Sequence, residues 1–405
     1  MNPWLRIFLP YAGGYFLSYL LRNANAVIAP ELSRDLGLSA AGLGLLTSAY
    51  LLGFGAFQLP LGILLDRYGP RRVEAVLLLV AAAGSAAFAL GGTLPQLALA
   101  RAAIGLGVSS CLMASFKAFS LWFPAGRQPS LNAAVMVAGG LGALTATTPL
   151  SLAVPALGWR GVFAVLAALA VVAAIGVAST PERDPGGSRE TFREQLAALA
   201  DIARSRAFRH YAPPTTFFVG GFMALQGLWA VPFLMQVSGR SRDAAAFHLL
   251  LTTVAMMAGF LGIALFIGRL QRSGLHPDHL LGAGMVAQLA ALLGLVFGVG
   301  DSHLWWFVLG LCFAVGNLAY AVLSSQFRPA VAGRANTALN LAVFAGAFLI
   351  QWAYGAALDA LGARGWSAAA AHRAATGALV VLEAASLAWF VRGALLGRRA
   401  SGTGA

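Results

Sequence analysis

Twelve apolar stretches, each close to the length needed to cross a bilayer, run through this 405-residue chain. A helical crossing takes about 20 largely apolar residues, and a water-soluble globule has too little interior to hide a dozen of them. The stretches fall at 7–30, 40–64, 73–92, 96–122, 130–154 and 161–178. After a polar gap come 211–237, 244–268, 278–299, 304–326, 335–358 and 373–396. Composition points the same way: 59% of residues are hydrophobic and 10% charged, where a soluble domain carries about 25% charged residues. The net charge of +13 could suggest a nucleic-acid partner. Its basic residues are scattered between apolar spans instead of clustering on one face, so no nucleic acid is expected.

The expected fold is therefore an all-α membrane protein with twelve transmembrane helices in two six-helix bundles. An N-terminal bundle at 1–178, a connector at 179–210 and a C-terminal bundle with a short tail at 211–405 read as two fused repeats. The connector holds Pro181, Pro185, Gly186 and Gly187, then Phe192, Leu196 and Leu199 at helical spacing. That pattern predicts a flexible stretch followed by a short amphipathic helix on the inner membrane surface. Basic residues near span ends set orientation. With both termini cytoplasmic, 18 of the 27 fall inside and six outside; Arg22, Arg101 and Lys117 lie within spans. The first apolar stretch is followed by Glu31-Leu-Ser-Arg34-Asp35, which is no cleavage site, so it reads as a retained span. Cys111 and Cys312 both sit in apolar stretches and imply no disulfide. Lys117 is the single lysine, a usage that fits a GC-rich bacterial genome. The expected location is the bacterial inner (cytoplasmic) membrane, crossed many times.

Between the second and third stretches the chain reads Gly62-Ile-Leu-Leu-Asp66-Arg67-Tyr-Gly69-Pro-Arg71-Arg72. This resembles, letter for letter, the Gly-x-Leu-x-Asp-Arg-x-Gly-x-Arg loop of the major facilitator superfamily of secondary transporters. Gly62 and Gly69 would allow close helix approach and a tight turn. Asp66 would accept bonds from a helix N-terminus and pair with an arginine, latching the cytoplasmic face; Arg67, Arg71 and Arg72 would anchor the loop at the headgroups. Leu270-Gln271-Arg272-Ser273-Gly274 is a weak echo in the second half, with Arg272 and Gly274 matching Arg67 and Gly69, and Gln271 and Ile267 replacing the acid and first glycine. Arg101-Ala-Ala-Ile-Gly105-Leu-Gly107 resembles the Arg-x-x-x-Gly-x-Gly of helix 4 in this family. Trp122-Phe123-Pro124 with Arg127 looks like a turn of its anion/cation symporter, nitrate porter and organophosphate antiporter branches.

The resemblance implies that helices 1, 4, 7 and 10 line a central cavity. Helix 1 carries Tyr11, Tyr15, Ser18, Arg22 and Asn25 along one face. Helix 7 offers Thr215, Phe222, Gln226, Trp229 and Phe233, with Pro213, Pro214 and Pro232 as kinks. Helix 10 offers Phe313, Asn317, Tyr320 and Ser324, and helix 11 adds Asn340, Phe344, Gln351 and Tyr354. Interhelical hydrogen bonding and packing compete with substrate binding at every neutral position. Arg22 is the strongest candidate, since an arginine deep in a span costs about 2.5–3.5 kcal/mol and is normally functional. In the organophosphate and nitrate branches an arginine of helix 1 meets the anion, facing a second basic residue in the C-terminal half. No basic residue lies inside helices 7–11 here, which tells against phosphate or nitrate specifically. Lys117 is sixteen residues beyond Arg101, about 160° around the helix, so only one can face a cavity. Arg101 is expected inward, and Lys117 to snorkel to the cytoplasmic headgroups.

Asp66 and Glu74 are assigned to the inner loop, Glu31 and Asp35 to the outer one, and Asp359 to the end of helix 11; only Glu383 is placed within a span. Drug/proton antiporters usually carry an acid in the N-terminal cavity and a Gly-Pro pattern in helix 5. The chain shows Gly139-Gly140-Leu-Gly142 and Thr148-Pro149 instead. His248 is a candidate proton carrier. His276-Pro-Asp278-His279 is an exposed turn with no third metal partner in view, and no nucleophile and base lie paired, so an enzyme is not expected. No metal or cofactor is expected. The expected function is a permease moving a small organic or inorganic anion by alternating access; the alternative is proton-coupled efflux of an amphiphilic metabolite, drug or siderophore. The expected partners are a small-molecule substrate, the lipid bilayer and a proton or other coupling ion, around a monomer.

Overall fold

The computed structural model describes residues 4–124, 127–183, 192–272, 274 and 277–402, and these are almost entirely helical. The chain divides into two compact units, residues 1–196 and 197–405.

In the first unit a π-helical turn, Trp4–Phe8, leads into α1 (Leu9–Leu36), which ends at Gly37 in the left-handed region, φ 60°. Ser39 then caps α2 (Ala40–Leu90), its hydroxyl accepting from the Gly42 amide at 3.1 Å. Fifty-one residues of straight helix would run about 77 Å, more than twice the hydrocarbon thickness of about 30 Å. The chain resolves this at Gly69, φ 79°, the one residue of α2 that leaves helical geometry, followed directly by Pro70. The expected loop between two spans is thus a one-residue turn. Next come α3 (Leu94–Val108) and α4 (Cys111–Trp122), which together make one apolar segment, Leu94–Trp122. They are followed by α5 (Gln128–Thr145) and α6 (Thr148–Ala178). The sequence places a break at 154–161, and α6 turns there at Gly158, φ 64°. Beyond it, Trp159 donates to Asp35 at 3.0 Å and Arg160 to the Gly91 carbonyl at 2.8 Å, pinning the turn to the ends of α1 and α2. Phe88 and Phe163 meet at 4.2 Å in the interior.

A short helix, α7 (Phe192–Arg204), supplies the amphipathic segment expected in the connector. Its Leu199 and Ile202 pack into the core of the second unit; connector residues 184–191 lie outside the described residues. The second unit opens with one continuous apolar helix, Arg206–Gln236. It comprises α8 (Arg206–Thr215), α9 (Gly221–Ala224) and α10 (Ala230–Gln236), joined by π-helical segments at Thr216–Gly220 and Leu225–Trp229. Pro213 and Pro214 remove amide donors just ahead of the first, which gives the widened turns a local cause. Then come α11 (Arg242–Arg272), α12 (Pro277–Phe297), α13 (Ser302–Gly316), α14 (Leu318–Ser325), α15 (Pro329–Gly362) and α16 (Ala368–Gly402). Gly274, φ 85°, shares the positive φ of Gly69 at the matching position of the weak sequence echo.

Among the described residues nine helices are long and apolar enough to cross a membrane, and Ala40–Leu90 is long enough to do so twice. The twelve stretches of the sequence differ from these nine because α2 holds two of them, because Arg22, Asn23, Asn25 and three tyrosines lower the hydropathy of α1, and because the apolar part of α5, Ser130–Thr145, is short. Val76, Leu79, Val172 and Ile175 of the first unit and Leu261, Leu265 and Val381 of the second are exposed. Apolar side chains turned outward from helices with polar interiors are what a lipid-facing surface requires.

Candidate functional site

Two arginines meet inside the first unit where α1, α2 and α3 pack, Arg22 from α1 and Arg101 from α3. Tyr19 and Arg22 lie one turn apart on α1, and Tyr50 and Phe54 one turn apart on α2, so each pair shares a face.

 The Arg22 guanidinium carbon sits 5.0 Å from the Phe54 ring centre, 5.4 Å from that of Tyr19 and 5.8 Å from that of Tyr50. Arg101, from α3, approaches the same Tyr50 ring at 5.0 Å. Two guanidinium groups therefore share one aromatic ring. Arg101 is fully buried; its Nη1 donates to the Leu21 carbonyl at 3.0 Å, while Nε and Nη2 have no hydrogen-bond partner among the described residues. Tyr50 is held in turn by its hydroxyl, which donates to the Ser18 carbonyl at 3.4 Å. Gly105 makes this possible. It lies directly against the Tyr50 main-chain carbonyl, where any β-carbon would collide, so α3 and α2 touch backbone to backbone. Gly107 does the same against Leu77 and Ala81. The Arg-x-x-x-Gly-x-Gly pattern is thus a packing device that sets Arg101 beside Tyr50. A low-dielectric interior holding two cations stabilises negative charge brought next to them.

The rest of the α1 stripe turns into the first unit. Tyr15, Ser18 and Asn25 are all buried. Asn25 donates to the Thr47 hydroxyl at 2.6 Å, the Ser18 hydroxyl to the Val108 carbonyl at 3.4 Å, and the Tyr15 hydroxyl to the Met136 sulfur at 3.6 Å. These three make interhelical bonds, the competing role weighed for them from sequence.

The Asp66 turn differs from expectation in its partner. Asp66 pairs with Lys117, Nζ to Oδ1 at 2.9 Å, and not with an arginine. Lys117 comes from the last turns of α4, at the same end of the unit as the Gly69 turn, and both side chains of the pair are partly exposed. Arg72 grips Glu182 with two nitrogens, at 2.9 and 3.1 Å. Arg71 donates to the Thr180 carbonyl at 3.1 Å, so two of the three loop arginines hold the segment after α6. Arg67 is exposed beside Tyr68, and Gly62 is exposed too.

In the second unit Gln226 and Trp229 both fall in the π-helical segment Leu225–Trp229. Trp229 donates to the Gln351 carbonyl at 3.0 Å and stacks on Tyr354 at 5.1 Å. The Tyr354 hydroxyl meets buried His372 at 3.1 Å and Thr376 at 3.0 Å. Tyr320 donates to Asn340 at 3.1 Å, Asn317 to the Phe313 carbonyl at 2.7 Å, and Phe222 packs on Phe313 at 4.7 Å. His248 meets Ser302 at 2.9 Å and stacks on His303 at 3.8 Å. Asp301, exposed in the turn before α13, accepts from the His303 amide at 2.9 Å, and this bond holds its carboxyl below the ordinary carboxylate range. Of the His276 turn, His276 lies outside the described residues; Asp278 accepts from Tyr211 at 2.8 Å.

Three groups escaped the sequence reading. Tyr50, the ring shared by both arginines, is one tyrosine among many apolar residues, marked only by Phe54 one turn on. Glu74, assigned to the loop because it follows Arg71 and Arg72, is fully buried within α2. His372 carried no signal beyond being a histidine near a span end.

The sequence pattern of the Major Facilitator Superfamily matches residues 11–398. The chain belongs to that superfamily. Among its relatives, the probable sulfoacetate transporter SauU of Cupriavidus necator is 25% identical over 262 residues, covering 61% of this chain and 60% of that one. The galacturonate transporter of Dickeya chrysanthemi is 31% identical over 162 residues, 40% of this chain and 47% of that one. The chain thus spans less than two thirds of either relative. The fold is also that of a bacterial homologue of the human lysosomal transporter Spinster, solved in an inward-facing, occupied conformation. That comparison gives a TM-score of 0.74 at 16% identity over 97% of each chain. A superfamily member with this many apolar helices is a multi-pass membrane protein.

Proposed function

We propose that the protein is a secondary transporter of the bacterial inner membrane that moves a small organic anion by alternating access, in symport or exchange. The halves 1–178 and 211–405, joined by the connector 179–210, are the moving parts of this reading, with both termini in the cytoplasm. The observation that carries it is the pair of guanidinium groups, Arg22 and Arg101, that share the Tyr50 ring. Charge buried at such cost inside a membrane protein is normally functional, and two cations call for an anion. Both relatives take their names from acids, one a sulfonate with a carboxylate and the other a sugar acid. Arg22 would meet the charged end of the cargo, with Tyr15, Ser18 and Asn25 shaping the α1 face behind it. Gln226, Trp229, Asn317, Tyr320 and Asn340 would supply polar and aromatic contacts from the second unit.

Uptake into proteoliposomes tests the reading with sulfoacetate, galacturonate and tartrate as probes. Saturable uptake with counterflow of at least one is expected, and Arg22→Ala should abolish it while the protein still expresses and folds. Normal uptake by that variant removes the anion assignment. The Phe222–Phe313 contact favours efflux of an amphiphile as the second reading; resistance to a lipophilic dye on expression, with no uptake of any anion, would put it first.

A further inference from the structure

We propose that Glu74 is the proton-binding group of this transporter, a neutral acid buried between α1, α2 and α4 that ionises once per cycle. The proposal rests on the anion-transport reading above and names the coupling residue for it.

Two carboxyl groups are fully buried among the described residues, Glu74 and Glu383. They are not equivalent. Glu383 Oε1 accepts from Gln288 at 2.9 Å, and the same Gln288 nitrogen donates to the Phe218 carbonyl at 3.0 Å, so that carboxyl is tied into the frame of its unit. Among the described residues the Glu74 carboxyl has no hydrogen-bonding neighbour beyond the weakly donating Cys111 thiol. From α1 it faces Gly14, which has no side chain, and the Tyr11 phenol. From α4 it faces the Cys111 thiol, and on its own helix Leu78 lies one turn on. Arg71 and Glu182 act on the neighbouring Tyr11, and Arg71 is engaged with the Thr180 carbonyl and Glu182. Among the described residues no cation acts on Glu74. An ionised carboxylate in such a place is an uncompensated buried charge, which proteins avoid by keeping the group neutral.

A buried acid whose one neighbouring donor is a thiol contributes little to stability as it stands, which calls for another reason to keep it. The geometry supplies one. A β-carbon at position 14 would overlap Glu74 Oε1, so the α1 backbone lies directly on the carboxyl. Arg22 is eight residues further along α1, about 12 Å. A shift of α1 that moves Arg22 against its cargo also opens or closes the cover on Glu74. When water reaches the carboxyl, its O–H bond breaks, the proton passes to water and the carboxylate remains; when the cover re-forms, the carboxylate has taken a proton from water on the other side. No other bond changes. One proton carried with one anionic charge makes the movement of a monoanion electroneutral.

Proteoliposomes with an inward proton gradient and the probe anions above test this. One proton per monoanion supports about tenfold accumulation per pH unit. Wild type should reach it, with the outside medium turning alkaline. Glu74→Gln should lose the accumulation and the alkalinisation while keeping counterflow exchange, which moves no net protons. Glu74→Asp should accumulate with a displaced pH profile. Wild-type accumulation by Glu74→Gln overturns the proposal, and so does equal loss of counterflow and accumulation in the folded variant, which marks a structural group. Infrared spectra of the purified protein decide the matter whatever the cargo: the carbonyl band of a protonated buried acid should weaken in Glu74→Gln, and an unchanged band overturns the proposal. Failure of wild type to move any probe anion, by contrast, sinks the anion reading and leaves the infrared result standing.

Discussion

Replacing Arg101 by methionine separates charge held for function from charge held for structure. Methionine fills a similar volume without the guanidinium. In the native protein Arg101 makes one charged hydrogen bond, to the Leu21 carbonyl, and one ring contact, to Tyr50. These are worth about 1.5–3 kcal/mol and about 1–2 kcal/mol. Against them stand Nε and Nη2, buried and without partners, each costing about 1–3 kcal/mol. The two sides nearly cancel, so Arg101→Met should change stability by less than about 2 kcal/mol. Loss of a buried, fully paired charge partner would instead cost about 3–5 kcal/mol. For a unit of this size, at about 2–4 °C per kcal/mol, the change amounts to less than about 8 °C in melting temperature. Thermal unfolding in detergent measures it, and anion uptake by the same preparation should fall by at least about tenfold, the factor that 1.4 kcal/mol of lost binding represents. A large drop in Tm with uptake retained per folded molecule would refute the argument and make Arg101 a structural donor.

Two more outcomes follow from the same geometry. Asp66→Asn and Lys117→Met should each slow turnover with little change in KM, and the charge-swapped double variant should recover part of the rate. Because both side chains are partly exposed, the coupling should be no more than about 1 kcal/mol in a double-mutant cycle; strictly additive effects would show that the pair does not act together. Gly105→Leu should lower the melting temperature, because its side chain must push the Tyr50 carbonyl away, at about 1–3 kcal/mol or more. An unchanged melting temperature would mean that α2 and α3 do not depend on backbone contact.

The loop motif shows how far local sequence reaches. Asp66, Gly69 and Pro70 were legible because a left-handed turn needs a glycine and the acid and bases flank it in register; even the echo at Gly274 shares the positive φ. The identity of Asp66's partner was not legible. Lys117 is 51 residues away, and an arginine is an equally good partner until two helices are laid side by side. Glu74 was misplaced for a related reason. Following two arginines it resembles a loop residue, and only the sharpness of the Gly69 turn puts it one turn inside the bundle.

Hydrophobicity over twenty-residue windows, glycine at the turns and the arginine in α1 were decided by the sequence, because each is a property of a segment by itself. Which ring two arginines share, which buried acid is tied to an amide and which faces only a thiol, and which face of α1 is covered were decided by the packing of helices far apart in the chain. The energy of a buried charge depends on what surrounds it in space, and that information exists only once the helices meet.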